Sequence, residues 1–292
     1  MITEKMRVTA KELLENGNVA TVIGWEKGTF WYNSTPVFIS KPEQVDRLVF
    51  DEFCANNLAK YLMDYNHTEG KVAIFVKGCD ALAVNRLLQD QQIKRENIFL
   101  IGLPCPGMKE LPKSAAPQDP KELPALKKCR ECTKPNPIVY DVLLGDLVPE
   151  KENPARFSAV EVLEAKSVDE KYEYWEKMHS QCIRCYACRN VCPACNCREC
   201  CFDANGLNWL GKQNNIPENQ MFAMTRGMHV AGRCIECGEC ERVCPMGLPI
   251  MEVNRKLIKD INELFGPYEA GLKLEDSPPL SRYELHDPEK FM

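Results

Sequence analysis

The sequence predicts an α/β fold in the first half of the chain and a smaller, cysteine-rich domain in the second. Two short apolar runs rich in β-branched residues flank a helical pattern, which is typical of parallel strands covered on both faces. Of the 17 cysteines among 292 residues, twelve lie between Cys182 and Cys244. We therefore predict an α/β domain over residues 1–150, a helical linker over 151–180, a cysteine-rich domain over 181–266 and a polar tail over 267–292.

The central unit of the first domain has the order strand, helix, strand. The strands are predicted at Lys71–Val76 and Asn97–Gly102, and the helix follows a glycine turn at Gly78. Strands joined by a crossover helix run parallel, so their carboxyl ends meet at one edge of the sheet. The elements predicted before this unit are a helix from the capping box Thr9–Glu12 to Gly17, strands over 19–23 and 36–40, and one or two helices over 42–65.

The linker and the end of the chain carry further helix signals. Two capping boxes, Ser158–Glu161 and Ser167–Glu170, lie in the linker, and the second opens a helix. A final amphipathic helix follows the last cysteine and ends at Gly266. The tail after it is polar and has too few apolar residues to form a core alone.

Composition excludes several classes of protein. The odd number of cysteines rules out complete intramolecular disulfide pairing. Residues 1–17 are charged and lack the apolar region of a secretory signal, and no segment approaches the roughly 18 consecutive apolar residues of a membrane span. A net charge of −5 without a Lys/Arg block predicts no nucleic-acid partner. We expect a cytoplasmic protein whose thiolates hold metal in a reducing compartment.

The spacing C-x2-C-x2-C-x3-C-P occurs twice, at Cys182–Pro193 and at Cys234–Pro245. In proteins with two 4Fe-4S clusters, the fourth cysteine of such a run ligates the other cluster. Zinc is the alternative, but zinc sites usually pair two CxxC knuckles across a spacer. We therefore predict one cluster held by Cys182, Cys185, Cys188 and Cys244, and another held by Cys234, Cys237, Cys240 and Cys192. With these motifs, the segment resembles bacterial-type dicluster ferredoxins, which implies an α+β ferredoxin-like fold.

Four further thiols come after the first motif, within seven residues: Cys195, Cys197, Cys200 and Cys201. The compact ferredoxins have a much shorter connection here. Because core packing does not demand such clustering, we predict a further metal site, either a fourth cluster or another metal. So short a stretch would strain around a cubane, so a ligand from elsewhere, such as Cys54 or another chain, is expected to join it.

A third 4Fe-4S cluster is predicted in the α/β domain. Cys79 follows the first predicted parallel strand and Cys105 the second, so both thiols should emerge at the same sheet edge. A proline-rich loop over residues 109–137 adds the pair Cys129 and Cys132. The alternatives are that Cys79 and Cys105 are small buried residues, and that the CxxC pair is a redox or zinc pair.

The segments Gly78–Asp80, Gly102–Cys105, Cys129–Cys132 and Asp141–Gly145 together resemble the beta-subunit family of deazaflavin-reducing hydrogenases and related formate dehydrogenases. The resemblance covers residues 70–148 and implies a Rossmann-like sheet domain that acts as an electron-entry module, with a cluster beside a flavin. The sequence itself contains neither G-x-G-x-x-G nor a P-loop motif. Binding of FAD therefore stays open.

No catalytic residue is assigned, because the four histidines and the many carboxylates form no recognisable nucleophile, metal pair or acid/base dyad. Arg226, His229 and Arg233 lie just before the second motif and could supply positive charge near a reduced cluster, which would raise its potential. The alternative is that they form a helix surface that caps the ferredoxin domain. The leading hypothesis is an iron-sulfur electron-transfer subunit of an anaerobic multi-subunit oxidoreductase of the hydrogenase, formate dehydrogenase or heterodisulfide-reductase-like kind. Its partners would be other redox subunits, such as a flavoprotein or a ferredoxin. The alternatives are a self-contained flavin-dependent oxidoreductase and a zinc-thiolate interaction protein.

Overall fold

The computed structural model of the chain describes residues 2–65, 69–111, 119–203, 211, 213–281 and 285–286. Part of the predicted proline-rich loop, residues 112–118, and parts of the predicted tail, residues 282–284 and 287–292, lie outside the described residues. The chain divides into two compact units. Unit 1 comprises Met1–Asn153 and Gly271–Leu274, and unit 2 comprises Pro154–Ala270 and Glu275–Met292.

A five-stranded, mostly parallel sheet forms the centre of unit 1, in the order β2-β1-β3-β4-β5. The β1–β3, β3–β4 and β4–β5 pairs are parallel, and only β1–β2 is antiparallel. This confirms the predicted α/β class. The strands are Thr21–Lys27 (β1), Ser34–Ile39 (β2), Val72–Val76 (β3), Ile98–Gly102 (β4) and Val142–Leu143 (β5).

The register of the two central strands brings their carboxyl ends together. Val72 pairs with Ile98 and Val76 with Gly102, so β3 and β4 end side by side. All five residues of β3 are buried, because the chain covers both faces of the sheet. The helix α2 (Gly78–Gln89) begins two residues after β3 and is buried over most of its length.

Two predictions about unit 1 are wrong in detail. The first helix, α1, spans Ile2–Glu15 and places Thr9 inside it, so the predicted capping box does not start it. Residues 42–65 do not form full helices but two 3-10 turns, Pro42–Arg47 and Ala59–Tyr65. The chain between them runs along the sheet, with the Val49 N–H donating to the Trp25 carbonyl at 2.8 Å, which competes with helical hydrogen bonds.

Unit 2 consists of helices and loops in the residues that the structure describes, and the strands implied by an α+β fold are not seen there. None of the described helices is both long enough and apolar enough to cross a membrane. The described α-helices after α2 are α3 in unit 1 (Lys127–Arg130) and, in unit 2, α4 (Ser158–Glu164), α5 (Val168–Ser180), α6 (Ala187–Asn190), α7 (Ile216–Val230), α8 (Glu239–Arg242) and α9 (Ile250–Phe265).

Candidate metal centres

The two cysteine motifs have the same backbone conformation. In the first, Arg184 and Tyr186 adopt left-handed φ angles of 49° and 59°, and in the second the matching Glu236 and Gly238 have 53° and 65°. A non-glycine residue in this region costs about 1–3 kcal/mol, and such strain clusters at functional sites. The short helices α6 and α8 begin directly after Tyr186 and Gly238. Both motifs therefore wrap in the same way around whatever their cysteines bind.

The first group of thiols lines one cavity between α5, α7 and α9. The cavity encloses about 770 Å³ of empty space, its open mouth included, and its remaining walls are mostly apolar. Burial raises the pKa of Cys182 and Cys188, and the neighbouring thiols of the group raise both further. Three members come from the first motif and the fourth from the end of the second: Cys182, Cys185, Cys188 and Cys244.

The second group shows the reciprocal combination. Cys192, the last cysteine of the first motif, interacts electrostatically with Cys234, Cys237 and Cys240. Burial raises the pKa of these three thiols, to about 12 at Cys234. The amide of Asn254 on α9 donates to Cys234 Sγ at 3.5 Å. The structure therefore brings together both crossed sets that the spacing predicts.

Backbone N–H groups point at the sulfurs. The Arg184 N–H donates to Cys182 Sγ at 3.4 Å, two residues back along the chain. Hydrogen bonds to sulfur stabilise the thiolate, the form that binds metal. The same contact, from the residue two positions later, opposes the effect of burial on the pKa of Cys105, Cys132, Cys192, Cys234 and Cys237.

A third group forms at the carboxyl edge of the sheet in unit 1. Cys79 lies in the first turn of α2 and Cys105 follows β4. Cys105 interacts electrostatically with Cys79 on one side and with Cys129 and Cys132 on the other. Burial raises the pKa of Cys105 to about 11. All four cysteines predicted to hold a third cluster are thus gathered at one site.

The loop that carries the CxxC pair is tied to this edge. The Cys105 N–H donates to the Pro135 carbonyl at 2.9 Å. A Cβ atom on Gly78 would collide with the Lys134 carbonyl oxygen, so only glycine permits the loop to lie there. Gly107, at a left-handed φ of 104°, lets the chain turn beside Cys129.

Two lysines place positive charge at the third group. Lys77 is buried, its ammonium is 3.1 Å from an Asp80 carboxylate oxygen, and it lies 3.8 Å from the centre of the Trp25 ring. Its charge and that of Lys128 both favour the thiolate of Cys79. Asp80, the third residue of α2, also accepts from the N–H of Lys77, which is the N-cap of that helix. Positive charge beside a thiol stabilises the thiolate, which is the form that binds metal.

The four extra cysteines have different neighbours. Cys195 forms a hydrogen bond with Cys192, which contributes most to lowering the pKa of Cys192. Cys201 interacts instead with Cys200 and Cys197. Cys54 lies in unit 1, where its thiol accepts from the Asp51 N–H at 3.3 Å and donates to the Val49 carbonyl at 3.7 Å. The further metal site therefore stays a prediction.

Within the described ranges, no three His, Cys, Asp or Glu side chains are close enough to share a single metal ion. In a 4Fe-4S cluster each thiolate binds a different iron, so its ligands stand farther apart than those of one ion. The first cavity also contains buried polar atoms, His179 Nδ1 and Arg226 Nε, without a hydrogen-bond partner among the described residues. Four thiols and unsatisfied nitrogens in a mostly apolar cavity fit a thiolate-bound cluster.

Two buried asparagines of α7 and α9 at these groups were not predicted from the sequence. Asn219 donates to the Cys182 carbonyl at 2.9 Å, and Asn254 reaches Cys234 and Cys240. Their only sequence signal is a polar residue on the apolar side of a helix, which is too common to identify a site. Arg226, which the sequence offers as positive charge near a cluster, is almost fully buried between the two groups.

Comparison with known proteins finds a matching domain family and similar oxidoreductase subunits. Residues 181–249 match the family model described as the 4Fe-4S dicluster domain. The chain is 26% identical to the F420-dependent formate dehydrogenase subunit beta of Methanocaldococcus jannaschii, over 94% of this chain and 93% of that one. It is 25% identical to the F420-dependent formate dehydrogenase 1 subunit beta of Methanococcus maripaludis, over 92% and 91%. The predicted dicluster domain and the resemblance to formate dehydrogenase beta subunits are confirmed.

The first of these alignments spans 362 positions, more than the 292 residues of this chain, so the relative contains segments that are missing here. Among solved structures, a chain of the xenon-derivatised F420-reducing [NiFe] hydrogenase complex from Methanosarcina barkeri is 22% identical, with 37% of this chain and 41% of that chain covered. The TM-score is 0.30, which is too low to indicate a shared fold.

Proposed function

We propose that the protein is an iron-sulfur electron-transfer subunit of a multi-subunit oxidoreductase. The observation that carries the proposal is the cavity in unit 2 lined by Cys182, Cys185, Cys188 and the distant Cys244. No simple packing requirement brings three cysteines of one motif together with the last cysteine of another. The matching dicluster family model and the relatives, which are named as formate dehydrogenase beta subunits, support the same function.

In this proposal, three groups of thiols each hold one 4Fe-4S cluster. Such clusters supply one-electron storage, with potentials set by hydrogen bonds to sulfur, burial and charge. The chain contributes the thiolates, the N–H groups that point at them and the apolar walls that exclude water. The ligand sets are Cys182, Cys185, Cys188 and Cys244 for the first, Cys192, Cys234, Cys237 and Cys240 for the second, and Cys79, Cys105, Cys129 and Cys132 for the third.

The proposal also assigns the domains. Residues 1–150 form the electron-entry module, residues 151–180 a linker, residues 181–266 the ferredoxin-like dicluster domain and residues 267–292 a tail. Redox subunits of a formate dehydrogenase or hydrogenase kind are the proposed partners, by analogy with the relatives. We place the protein in the cytoplasm of an anaerobe, because thiolate-held clusters need a reducing compartment.

Iron, acid-labile sulfide, zinc and flavin measured on one anaerobically purified sample test the proposal. Three clusters predict about twelve irons and as many sulfides per chain, and two clusters predict about eight. The isolated chain should accept electrons from dithionite but reduce no dye from formate without partners.

Each alternative has its own outcome in this experiment. Stoichiometric FAD together with dye reduction from a soluble donor would replace the proposal with a self-contained flavoenzyme. A colourless protein rich in zinc would overturn it in favour of a zinc-thiolate protein. About sixteen irons would leave the proposal standing and assign a fourth cluster to the extra cysteines.

A further inference from the structure

Arg226 on α7 lies between the two groups of thiols in unit 2. Its side chain is almost fully buried, with 4% of the residue exposed. It interacts electrostatically with Cys188 of the first group and with Cys192 and Cys240 of the second. One fixed positive charge therefore faces both groups.

The protein provides few hydrogen-bond acceptors for the guanidinium of Arg226. One Nη donates to the Cys188 carbonyl at 3.3 Å, and Nε has no hydrogen-bond partner among the described residues. A buried charge without a counter-charge is costly, and arginine does not escape the cost by losing its proton. Retention of such a residue calls for an anion that the polypeptide does not provide.

Several other arginines of unit 2 form ion pairs with carboxylates. Within the part of the chain that the structure describes, no carboxylate forms an ion pair with Arg226. Its neighbours in the fold each have one, at 2.8 to 3.2 Å: Arg184 with Glu218, Arg189 with Asp203, Arg242 with Glu239 and Arg255 with Glu236. Arg226 thus lies beside both groups of thiols without a carboxylate partner among the described residues.

We propose that Arg226 is the shared counter-charge of the two clusters in unit 2 and raises the reduction potential of both. The inference rests on the proposed function, since the clusters are the anions that Arg226 would face. One-electron reduction makes each cluster more negative by one charge, and a nearby fixed cation stabilises the reduced form more than the oxidised form. Because Arg226 is buried, salt screens this effect far less than it screens a surface charge.

The test is a redox titration of the full chain, in which the EPR signal of the reduced clusters is recorded at each potential. It compares the wild type with Arg226→Met, Arg226→Gln and Arg226→Lys. In Arg226→Met and Arg226→Gln, reduction of both clusters at a given potential should become at least tenfold less favourable, which is about 59 mV for one electron. Arg226→Lys keeps the charge and should retain most of the wild-type potential. The matched control, Lys256→Met, removes a half-exposed charge from α9 and should shift neither cluster.

Iron analysis of the wild type separates the two claims. Fewer than about eight irons per chain would overturn the proposed function and this inference with it. Wild-type potentials in an iron-loaded Arg226→Met or Arg226→Gln would overturn the inference alone. If neither neutral variant retains iron while Arg226→Lys does at wild-type potential, charge is again the property required, and the inference is supported. Loss of iron or a tenfold shift in Arg226→Lys would contradict it, because shape would then matter more than charge.

Discussion

At Gly78, the absence of a side chain lets the loop after Cys132 lie against the start of α2. A Cβ atom there would overlap the Lys134 carbonyl and crowd that of Asn136. Backbone cannot move aside as a flexible side chain can, so the loop must shift and take the CxxC pair with it. Gly78→Ala should therefore lose about four of twelve irons per chain and leave the dicluster signal intact.

Gly28→Ala is the matched control for this change. Gly28 also has no left-handed φ, and its new Cβ would meet only the side chain of Asn33 at 3.0 Å. This variant should keep the wild-type iron content. Full iron in Gly78→Ala would show that the third site tolerates displacement of the loop, contrary to the geometry.

Two buried cysteines of unit 1 distinguish ligation from packing. Cys79 faces the other thiols of the third group, whereas Cys54 makes its hydrogen bonds to Asp51 and Val49. A serine hydroxyl can replace the hydrogen bonds of Cys54 but is a poor ligand for iron. Cys79→Ser should remove about four irons, and Cys54→Ser none. Equal iron contents in the two variants would remove Cys79 from the ligand set.

At the residue scale, the sequence indicates which cysteines come together better than it indicates what surrounds them. Cysteine spacing is specific because the cluster fixes which thiols can reach it, so the two motifs led directly to two crossed sets. Arg226 has only a weak signal, its position shortly before the second motif, and Asn254 has none. Their importance depends on burial beside the thiols, which only the packing of α7 and α9 determines.

At the element scale, two capping boxes in unit 2 have different fates. Ser167 starts α5 as predicted, with its Oγ accepting from the Glu170 N–H and its N–H donating to Glu170. Ser158 is instead the first residue inside α4, and its hydroxyl donates to the Ala155 carbonyl. The sequence pattern is the same, but α4 begins one residue earlier than the pattern predicts, so that Phe157 and not Ser158 is at the N-cap position.

This contrast gives a matched pair of substitutions. Ser167→Ala should lower the free energy of unfolding by about 1 kcal/mol, the usual value of an N-cap. Ser158→Ala should change it by less than about 0.5 kcal/mol, as at an ordinary surface position. Urea midpoints with equal slopes would measure both, and a larger loss at Ser158 would contradict the structure.

Contacts between α4 and α9 predict a pH dependence. Hydrogen bonds and charge from Lys256 and Lys259 lower the pKa of Glu164 to about 2. A carboxylate with a lowered folded pKa stabilises the fold fully above its unfolded pKa, near 4.5, and loses this contribution as the pH falls toward 2.

Glu164→Gln tests this pH dependence. Because the ion pairs of Glu164 with Lys256 and Lys259 are accessible to solvent, the free energy of unfolding of the variant should fall by less than about 1 kcal/mol at pH 7. The difference from wild type should shrink below pH 4.5. Urea unfolding at both pH values, with Glu263→Gln as the control for a more exposed carboxylate on α9, measures it. A difference that grows on acidification would have the wrong sign.

Strands were easier to predict than the chain around them. β3 and β4 are short apolar runs between turn signals, so their composition alone predicts that they are buried strands. The segment after β2 has a helical pattern of apolar residues, yet it runs along the sheet because backbone hydrogen bonds to Trp25 are available. Tertiary contacts of this kind override local propensity and leave no local signal.

At the scale of the whole molecule, the predicted tail is divided between the two units. Gly271–Leu274 belongs to unit 1, where the Asn85 amide donates to the Gly271 carbonyl at 3.0 Å and the Gln89 amide to the Lys273 carbonyl at 2.9 Å. Such a return over 186 residues of sequence could not be predicted from composition. These contacts are hydrogen bonds to backbone carbonyls, so a polar segment can form them.

The crossing of the two motifs is the central claim about the whole molecule. Each cluster in unit 2 would take three thiolates from one motif and the fourth from the other. The uncrossed alternative assigns each motif its own cluster, with Cys192 joining Cys182 and Cys244 joining Cys234. Double substitutions distinguish crossed from uncrossed ligation. Two replaced cysteines damage one cluster if they share it, and damage both clusters if each belongs to a different one.

The measurement is the iron content of Cys182→Ala/Cys244→Ala compared with Cys182→Ala/Cys192→Ala, with EPR of the reduced clusters on the same samples. Crossed ligation predicts that the first pair damages one cluster, losing about four irons and leaving one unperturbed dicluster-domain signal, whereas the second pair damages both. The opposite result, with both clusters damaged in Cys182→Ala/Cys244→Ala and one intact in Cys182→Ala/Cys192→Ala, would contradict the ligand sets on which the proposed electron relay depends.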